Sequence, residues 1–299
     1  MEKGQISRMA LYNAFVRGYH AAHDTPRIFD DFLAYQLLTK EERISIEESW
    51  LKNLDVEAFP DRERALAWLM QVIAGSPMTL SRARYVEDSL ELAVRQGVRQ
   101  YVILGAGMDT FAFRRPEMLE QLRVFEIDHP AMQAFKYKRI MELGWKIPGQ
   151  LHFIPVDFTQ DNLGEVLMGP SYDPRALTFF NWLGVTYYLP RNVVFSMLRN
   201  ITGIAPAGST VIFDYLDTDA FIPEKAAPRI RALVSSTRQV GEPMITGFDP
   251  LTLDAELEPL GLRLYEDLSP WDIQIRYFMG RTDHYHAAEH THFANAVVE

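Results

Sequence analysis

A glycine turn that directly follows an apolar run is the first feature of this chain that could bind a small molecule. The run YVIL at 101–104 continues into Gly105, Ala106 and Gly107. Glycines at the carboxyl end of a strand let the backbone approach a ligand closely, and ligands of open α/β sheets lie at those strand ends. The dinucleotide-binding fingerprint has a third glycine where this chain has Thr110. The turn alone therefore fits several nucleotide cofactors, or a tight turn without a ligand.

Acidic residues close the next two predicted strands. The segment VFEID ends in Asp128, where a carboxylate can accept two hydrogen bonds from a ribose diol, and Glu126 on the same face is the competing candidate. In PVDF, Asp157 and Phe158 could bind the adenine amino group and pack on its ring, although Asp157 could equally cap the following helix. NAD and S-adenosylmethionine both carry an adenosine ribose, so these residues do not distinguish the two cofactors.

The first third of the chain has a helical pattern. Apolar residues from Ser7 to about Gln96 recur at three- and four-residue spacings, as in Leu66, Leu69, Met70 and Ile73. An amphipathic helix is predicted to begin at Ser81 and to end at Gly97. This pattern predicts an N-terminal helical cap over residues 1–96.

Short apolar runs alternate with helical stretches after Gly97, which predicts an α/β core with a largely parallel sheet over 97–299. The predicted strands are 101–104, 123–128, 151–156, 176–181, 209–216, 262–267 and 273–279. The predicted helices are 109–120, 130–143, 163–168, 191–202, 226–240 and 250–260. The segment at about 217–248, rich in proline and glycine, is predicted to be a lid inserted after the fifth strand. The last two predicted strands are joined by a short loop, so they should pair antiparallel.

Composition excludes several classes of function. Apolar residues make up 47% of the 299 residues, which is enough for a sizeable core, and the net charge of −10 disfavours nucleic acid and anionic membrane surfaces as partners. The chain has no cysteine, so disulfides, thiolate metal sites and cysteine nucleophiles are excluded. No signal peptide or membrane span is recognisable, and we expect a soluble, cytoplasmic protein with a small-molecule partner.

Several motifs together resemble the leucine carboxyl methyltransferase family of S-adenosylmethionine-dependent O-methyltransferases, which includes bacterial enzymes that methylate polyketides and other small metabolites. These motifs are LGAGMDT at 104–110, FEIDHP at 125–130, PVDF at 155–158 and NWLGVTYYLP at 181–190. The resemblance begins near 26–34 and becomes weak in the last third of the chain. It implies the Rossmann-like class I methyltransferase fold, with seven strands of which the last is antiparallel.

The resemblance also implies roles for particular residues. Gly105, Ala106 and Gly107 would contact the methionine moiety of the cofactor, Asp128 the ribose, and Asp157 with Phe158 the adenine. Arg82, within SRARYVEDSL at 81–90, matches the family's arginine for the cofactor carboxylate, which a guanidinium can bind with two hydrogen bonds. Arg84 is its rival, and Arg17 is a weaker candidate near the cofactor mouth.

One position departs from the family pattern. Where the leucine carboxyl methyltransferases have an acid before a Tyr-Leu pair, this chain has Leu183, and Asn181 is the nearest polar residue. Contacts at this strand end are therefore open, and the sequence is more similar to the bacterial metabolite branch. A cofactor-binding protein without catalysis and a nicotinamide-dependent oxidoreductase remain as alternatives.

The candidate residues for the methyl acceptor are tyrosines. Tyr187, Tyr188 and Tyr215, at predicted strand ends, could orient an acceptor. No Asp-His or Lys-acid pair that could serve as general base stands out, which favours a carboxylate acceptor because it is already ionised at neutral pH. In the tail HYHAAEHTH at 284–292, His286 and His290 could share a helix face, but the spacing matches no metal motif, and we expect a solvated C-terminal helix and no metal.

Overall fold

The computed structural model describes residues 6–52, 54–169 and 171–299. At its centre is one seven-stranded sheet with the order β3-β2-β1-β4-β5-β7-β6. Strands β1 to β5 are parallel, and β7 lies antiparallel between β5 and β6. The strands are β1 Gln100–Leu104, β2 Arg123–Asp128, β3 Leu151–Pro155, β4 Thr178–Trp182, β5 Thr210–Leu216, β6 Leu262–Leu268 and β7 Thr291–Val298. The predicted fold class is confirmed.

Helices cover both faces of the sheet. The α-helices are α1 Arg8–His23, α2 Lys40–Leu51, α3 Arg62–Val72, α4 Gly75–Arg95, α5 Phe111–Arg114, α6 Pro130–Glu142, α7 Leu163–Leu167, α8 Arg191–Ile204, α9 Pro228–Gln239, α10 Leu253–Leu257 and α11 Pro270–Ile273. Short 3₁₀ turns are Ala34–Leu37, Val56–Ala58, Met118–Glu120, Thr186–Tyr188, Thr218–Phe221 and Glu258–Leu260, and a π-helical turn Gln274–Phe278 follows α11.

The strand order reverses between β1 and β4. β1 pairs with β2 on one side and with β4 on the other, so the connections after β1 and after β4 leave the sheet in opposite directions. A crevice opens at such a switch point outside the carboxyl ends of the strands, and open α/β sheets bind ligands there. The predicted binding residues of β1, β2 and β4 all lie at this crevice.

The predicted strand at 273–279 is wrong. Its alternating sequence IQIRYFM lies in α11 and the π-helical turn, which begin at Ser269: the Ser269 hydroxyl and the Asp272 carboxylate form a capping box, and Pro270 occupies the first helical position. The true last strand is β7, in the tail that was predicted to be a helix. The antiparallel pairing is confirmed, but it follows from a long connection and not from a hairpin.

Two helix boundaries also differ from the prediction. α4 begins at Gly75 and not at Ser81, because Pro77 lies in its first turn, where the missing N–H breaks no helical hydrogen bond. The helix predicted over 109–120 is two short pieces, α5 and a 3₁₀ turn at Met118–Glu120. Pro116 separates them, as expected for a residue that cannot donate a backbone hydrogen bond.

The helices before β1 pack on the sheet through a shared apolar cluster. Phe15 and Leu37 from the N-terminal part belong to the same buried cluster as Tyr101, Phe111 and Phe179 around the sheet. The division into a helical cap over 1–96 and a core over 97–299 stays a prediction. Among the described residues, no helix combines the length and the apolar character that crossing a bilayer would require.

The segment 217–248 leaves and rejoins the core at one point. Asp217 and Phe248 form an isolated bridge at its base, and Phe248 N donates to Leu216 O at 3.0 Å. The segment contains α9 and a 3₁₀ turn, and Ile230 with Met244 packs it against Met78 of α4. This segment, hereafter the lid, therefore rests on the N-terminal helices.

Candidate functional site

A cavity of about 430 Å³ lies over the switch point, between the strand ends, the N-terminal helices and the lid. Its volume falls within the roughly 300–1,000 Å³ of small-molecule sites. The wall includes predicted residues from six separate parts of the chain: Arg17, Arg82, Gly105, Ala106, Gly107, Asp128, Asp157, Phe158, Asn181 and Tyr188.

The glycine turn forms part of the cavity floor. Gly105 and Gly107 have φ of 75° and 50°, which side chains rarely adopt. Neighbouring side chains leave little room for a Cβ atom at either glycine. A Cβ on Gly105 would lie 2.4 Å from Val185, and one on Gly107 would lie 3.2 Å from Ala10 of α1. Both glycines are thus required by the packing of neighbouring elements as well as by any ligand.

Asp128 connects the end of β2 to this turn. Its Oδ2 accepts the Gly107 N–H at 2.5 Å, and its Oδ1 accepts the His129 N–H at 2.6 Å. Burial raises the pKa of Asp128 above its ordinary value, although these two N–H donors act in the opposite direction. Each carboxylate oxygen keeps a second lone pair, so the fixed carboxylate can still accept from two hydroxyls.

Glu126, the competing candidate, is not on the cavity wall that the described residues form. It is buried and paired with the ammonium of Lys136 on α6. Its carboxylate is therefore committed to the core, and Asp128 alone of the pair can reach a ligand.

Asp157 closes a turn after β3. Its Oδ1 accepts the Thr159 N–H at 3.0 Å, and its Oδ2 accepts from Gln160 Nε2 at 2.8 Å. Partial burial acts to raise its pKa, but the hydrogen bonds from Thr159 hold the pKa below its usual range. The alternative in which Asp157 caps the next helix is wrong, because Asn162 caps α7. Phe158 is partly buried beside it on the cavity wall.

Asn181 presents an unpaired acceptor at the end of β4. Its Nδ2 donates to the Tyr101 hydroxyl at 2.8 Å, while its buried Oδ1 has no partner in the described structure. A buried amide oxygen without a partner costs about 1–3 kcal/mol, so a ligand donor is expected there. The carboxylates of Glu87 and Asp109 also line the cavity, which makes its wall acidic.

The Arg82 side chain extends from α4 to the cavity, and Asp214 of β5 binds its guanidinium. Its Nη1 donates to Asp214 Oδ2 at 2.7 Å and to the Tyr187 hydroxyl at 2.6 Å. Burial acts to lower the pKa of Arg82, but Tyr187 and Asp214 hold it above its ordinary value, so the guanidinium stays charged. Arg84 forms an exposed pair with Asp88 and is no rival at this site.

Arg17 lines the cavity from α1. Its Nε donates to Asp31 Oδ2 at 2.9 Å, and its Nη2 donates to Met108 O at 2.8 Å. These contacts join α1 to the segment after the glycine turn.

The three candidate tyrosines have different environments. Tyr188 lines the cavity, and burial raises the pKa of its phenol well above the ordinary value, which keeps it protonated. Tyr187 lies behind Arg82 as its hydrogen-bond partner. Tyr215 is buried away from the cavity and donates to Asp267 at 2.7 Å, so it is not an acceptor-binding residue.

The histidine tail forms a structural contact. The predicted solvated helix at 284–292 is wrong: the segment is irregular and leads into β7. His290 Nδ1 lies 2.8 Å from Asp217 Oδ1 and its Nε2 accepts the Ala227 N–H, which fixes the start of the lid. In the described part of the chain, no group of three or more His, Cys, Asp or Glu residues could hold a metal ion.

Two further residues, Asp214 behind the cavity wall and Glu242 on it, were not among the predicted ones. Asp214 was visible in the sequence as a single acid inside the apolar strand TVIFDYL. Glu242 of the lid accepts from Ser7 Oγ at 2.7 Å and from the Arg8 N–H at 2.6 Å. A local sequence pattern does not predict a contact between residues more than 230 positions apart.

The sequence profile described as "Leucine carboxyl methyltransferase" matches residues 10–202, which contain the glycine turn, Asp128 and Arg82. The chain belongs to the leucine carboxyl methyltransferase family. A Bacillus subtilis relative, described as "Putative S-adenosyl-L-methionine-dependent methyltransferase YktD", is 39% identical and matches 99% of each chain. The family and this relative identify the protein as an S-adenosylmethionine-dependent methyltransferase.

Solved structures share the fold of this family member. A crystal structure titled as that of a putative methyltransferase from Thermobifida fusca has a TM-score of 0.61 at 12% identity, covering 100% of this chain and 97% of its own. A DUF574 family protein from Streptomyces avermitilis has a TM-score of 0.56 at 15% identity, covering 85% and 95%. The nicotinamide-dependent oxidoreductase alternative has no support from either comparison.

The residues at the cavity fit the cofactor of this methyltransferase. Asp128 offers a fixed carboxylate for a ribose diol, Arg82 a charged guanidinium for a carboxylate, and Asn181 an unpaired oxygen for an ammonium. Carboxylates outnumber guanidiniums on the wall, which suits a cofactor that carries a sulfonium.

Proposed function

We propose that the protein transfers a methyl group to an oxygen, the carboxylate or hydroxyl of a small, apolar or aromatic metabolite. The observation that carries this proposal is one partly open cavity whose wall combines polar groups suited to the cofactor at the strand ends with apolar residues from α1, the segment after β4 and the lid. S-adenosylmethionine, when bound, supplies a methyl group on a positively charged sulfur. The chain's own residues must then bind the acceptor, orient its oxygen and exclude water.

The proposed cofactor contacts follow the chemistry of the wall. Asp128 binds the ribose hydroxyls, Asp157 and Phe158 hold the adenine, and the turn at Gly105–Gly107 lies under the methionine moiety. Arg82 binds the carboxylate of that moiety, and Asn181 Oδ1 accepts from its ammonium. These assignments rest on hydrogen-bonding capacity and on the shared cavity wall.

The opposite wall supports a small apolar acceptor. It is formed by the first turns of α1, by the segment after β4 and by the lid, with these apolar residues: Met9, Ala10, Leu183, Leu189, Pro243 and Ile245. An apolar lining contributed by three separate elements supports a small apolar metabolite as the acceptor.

Two polar residues of the cavity wall, Tyr188 and Asn13, offer neutral hydrogen-bonding groups to the acceptor. The Tyr188 phenol stays protonated and can donate to an acceptor oxygen. Thr79 Oγ1 donates to Asn13 Oδ1 at 2.8 Å, which leaves the Asn13 amide nitrogen free to donate. Such donors orient an oxygen but do not remove its proton.

The other acids of the described wall are already engaged: Asp31 pairs with Arg17, Glu87 pairs with Arg114, and Asp109 accepts the Phe111 N–H. His129 caps α6 through its Nδ1 and lies beside Asp157 on the adenine side, and Glu242 is occupied by the start of α1. A carboxylate acceptor needs no base because it is ionised at neutral pH. We therefore propose carboxyl methylation over hydroxyl methylation.

Methyl transfer from radiolabelled S-adenosylmethionine tests the proposal on matched pairs of acceptors, such as aromatic acids and the corresponding phenols. Carboxyl methylation predicts labelled, base-labile esters and a rate that is flat above about pH 5, whereas a phenol or alcohol acceptor predicts a rate that rises with pH. Tight binding of S-adenosylhomocysteine without turnover on any acceptor would favour the non-catalytic alternative, for which Leu183 in place of an acid is the supporting observation.

A further inference from the structure

Asp214 is a fully buried acid in the middle of the apolar strand β5. Burying a carboxylate costs several kcal/mol unless charged or polar partners compensate it. All its partners belong to the cavity wall or lie directly behind it. Its Oδ1 accepts the Gly184 N–H at 2.6 Å, and its Oδ2 accepts from Arg82 Nη1 at 2.7 Å and from the Tyr187 hydroxyl at 3.4 Å.

These contacts occupy one end of the Arg82 guanidinium and leave the other end free. Nη1 makes the hydrogen bonds to Asp214 and Tyr187, while Nε and Nη2 have no acceptor among the residues that the structure describes. Gly184 has a φ of 75°, and a Cβ there would lie 2.7 Å from Nη2, so a glycine is required for the guanidinium to lie against the backbone. The Nε–Nη2 edge is the edge that binds a carboxylate with two parallel hydrogen bonds.

Asp214 also fixes the segment after β4. Its side chain holds the Gly184 N–H, and its carbonyl oxygen accepts from Thr186 Oγ1 at 2.6 Å. That segment carries Leu183 and Tyr188 of the cavity wall. One residue thus connects the arginine, the glycine beneath it and a wall of the acceptor site.

We propose that Asp214 is a positioning residue for cofactor recognition: it orients Arg82 so that the Nε–Nη2 edge faces the carboxylate of the methionine moiety. The charge of Asp214 offsets the cost of burying the guanidinium before the cofactor binds. This inference rests on the proposed contact between Arg82 and the cofactor carboxylate.

Calorimetry with two probes tests this inference on the full chain. S-adenosylhomocysteine carries the amino-acid carboxylate, whereas 5′-methylthioadenosine has the same adenosine and thioether without it. We expect Asp214→Asn to weaken S-adenosylhomocysteine binding by about 10- to 100-fold, because the hydrogen bonds to a charged group lose their geometry. Binding of 5′-methylthioadenosine should change by less than about twofold, since only the amino-acid end is affected.

Two further variants separate positioning from stability. Asp267→Asn removes another acid of the same sheet, one that accepts from Tyr215 away from the cavity, and it should leave the ratio of the two affinities unchanged. Tyr187→Phe keeps the ring volume and should shift the ratio in the same direction as Asp214→Asn, but less. Equal losses for both probes in Asp214→Asn, or no loss for either, would overturn the inference while leaving the cofactor assignment intact. A wild-type protein that binds 5′-methylthioadenosine as tightly as S-adenosylhomocysteine would instead refute the Arg82 contact itself.

Discussion

Among single residues, Asp128 is half-buried and has a fixed geometry at the proposed ribose site. Its oxygens are each held by one backbone N–H, so the side chain needs little reorganisation when a ligand binds. Asp128→Asn keeps the shape but replaces one acceptor oxygen with a donor. We expect S-adenosylhomocysteine and 5′-methylthioadenosine to lose about 10- to 100-fold in affinity together, because both carry the ribose. Calorimetry at neutral pH measures this, and a loss confined to one probe would contradict the assignment.

The raised pKa of Glu126 predicts how the free energy of unfolding depends on pH. Burial raises its pKa from 4.5 to about 7, although Lys136 acts against this. The folded state therefore holds the proton more tightly than the unfolded state. This contribution to the free energy of unfolding is fully present below about pH 4.5 and is lost as the pH rises through 7.

Glu126→Gln imitates the protonated form and should flatten the pH dependence of stability between about pH 4.5 and 7. Denaturant unfolding at several pH values measures the slope. The absolute stability of the variant is not the readout, because Lys136 loses its charged partner. Parallel profiles for variant and wild type would show that Glu126 is ionised throughout this range.

At the scale of elements, the lid contacts the start of α1 through the carboxylate of Glu242. Glu242 accepts from the Ser7 hydroxyl and from the N–H groups of Arg8 and Met9, the latter at 3.3 Å, so it caps the start of α1 from a distant part of the chain. Ser7, Met9 and Glu242 all line the cavity mouth. A ligand that enters here must pass or separate this contact.

Glu242→Ala should therefore loosen the closure over the cavity. We expect faster association and faster dissociation of S-adenosylhomocysteine in stopped-flow measurements, and faster amide exchange at the first turn of α1. The stability loss should be about 0.5–2 kcal/mol, as for a lost helix cap. Glu256→Ala is the matched control, because it removes an exposed carboxylate that pairs with Arg191 away from this mouth. Unchanged association and dissociation rates of S-adenosylhomocysteine would mean that the ligand enters the cavity by another route.

The elements show how far local sequence patterns predict this fold. Strands β1, β2 and β5 were predicted within a residue or two, because each is an apolar run bounded by glycine, charge or proline. The end of the chain was predicted wrongly for a physical reason: IQIRYFM alternates like a strand, but the capping box at Ser269 starts a helical segment. In β7 the buried positions include alanines, which carry little strand signal.

The site itself was predicted where its residues lie next to recognisable turns. Asp128 was predicted from its place at a strand end and Arg82 from the family resemblance, whereas the acid that holds Arg82 in place comes from a distant segment. Asp214 supports Arg82 across 132 positions, and the pairing depends on β5 lying beneath α4. Such contacts follow from the sheet order, which a single sequence does not contain. Tyr215 shows the same limit. Its place near the end of β5 was predicted correctly, but its side chain packs in an apolar cluster away from the cavity.

For the whole molecule, the cavity is built jointly by the N-terminal helices and by the α/β core. Arg82 comes from α4, Asp128 from β2 and Asp214 from β5, and the largest apolar cluster contains Phe15 and Tyr85 from the first part with Tyr101 and Phe179 from the sheet. Each part buries some of its apolar surface against the other. We therefore expect the two parts to unfold as one cooperative unit.

Differential scanning calorimetry tests this joint construction. One transition is expected, with a calorimetric enthalpy close to the van't Hoff value. S-adenosylhomocysteine at about 100 times its dissociation constant should raise the free energy of unfolding by about 2.7 kcal/mol and move the whole transition upwards by several degrees. Arg82→Ala should reduce that ligand-dependent shift without splitting the transition, because we propose that the arginine binds the ligand, and it lies outside the apolar cluster. Two transitions, of which the ligand moves only the one belonging to residues 97–299, would mean that the cap is a separate domain and that the cofactor is held by the core alone.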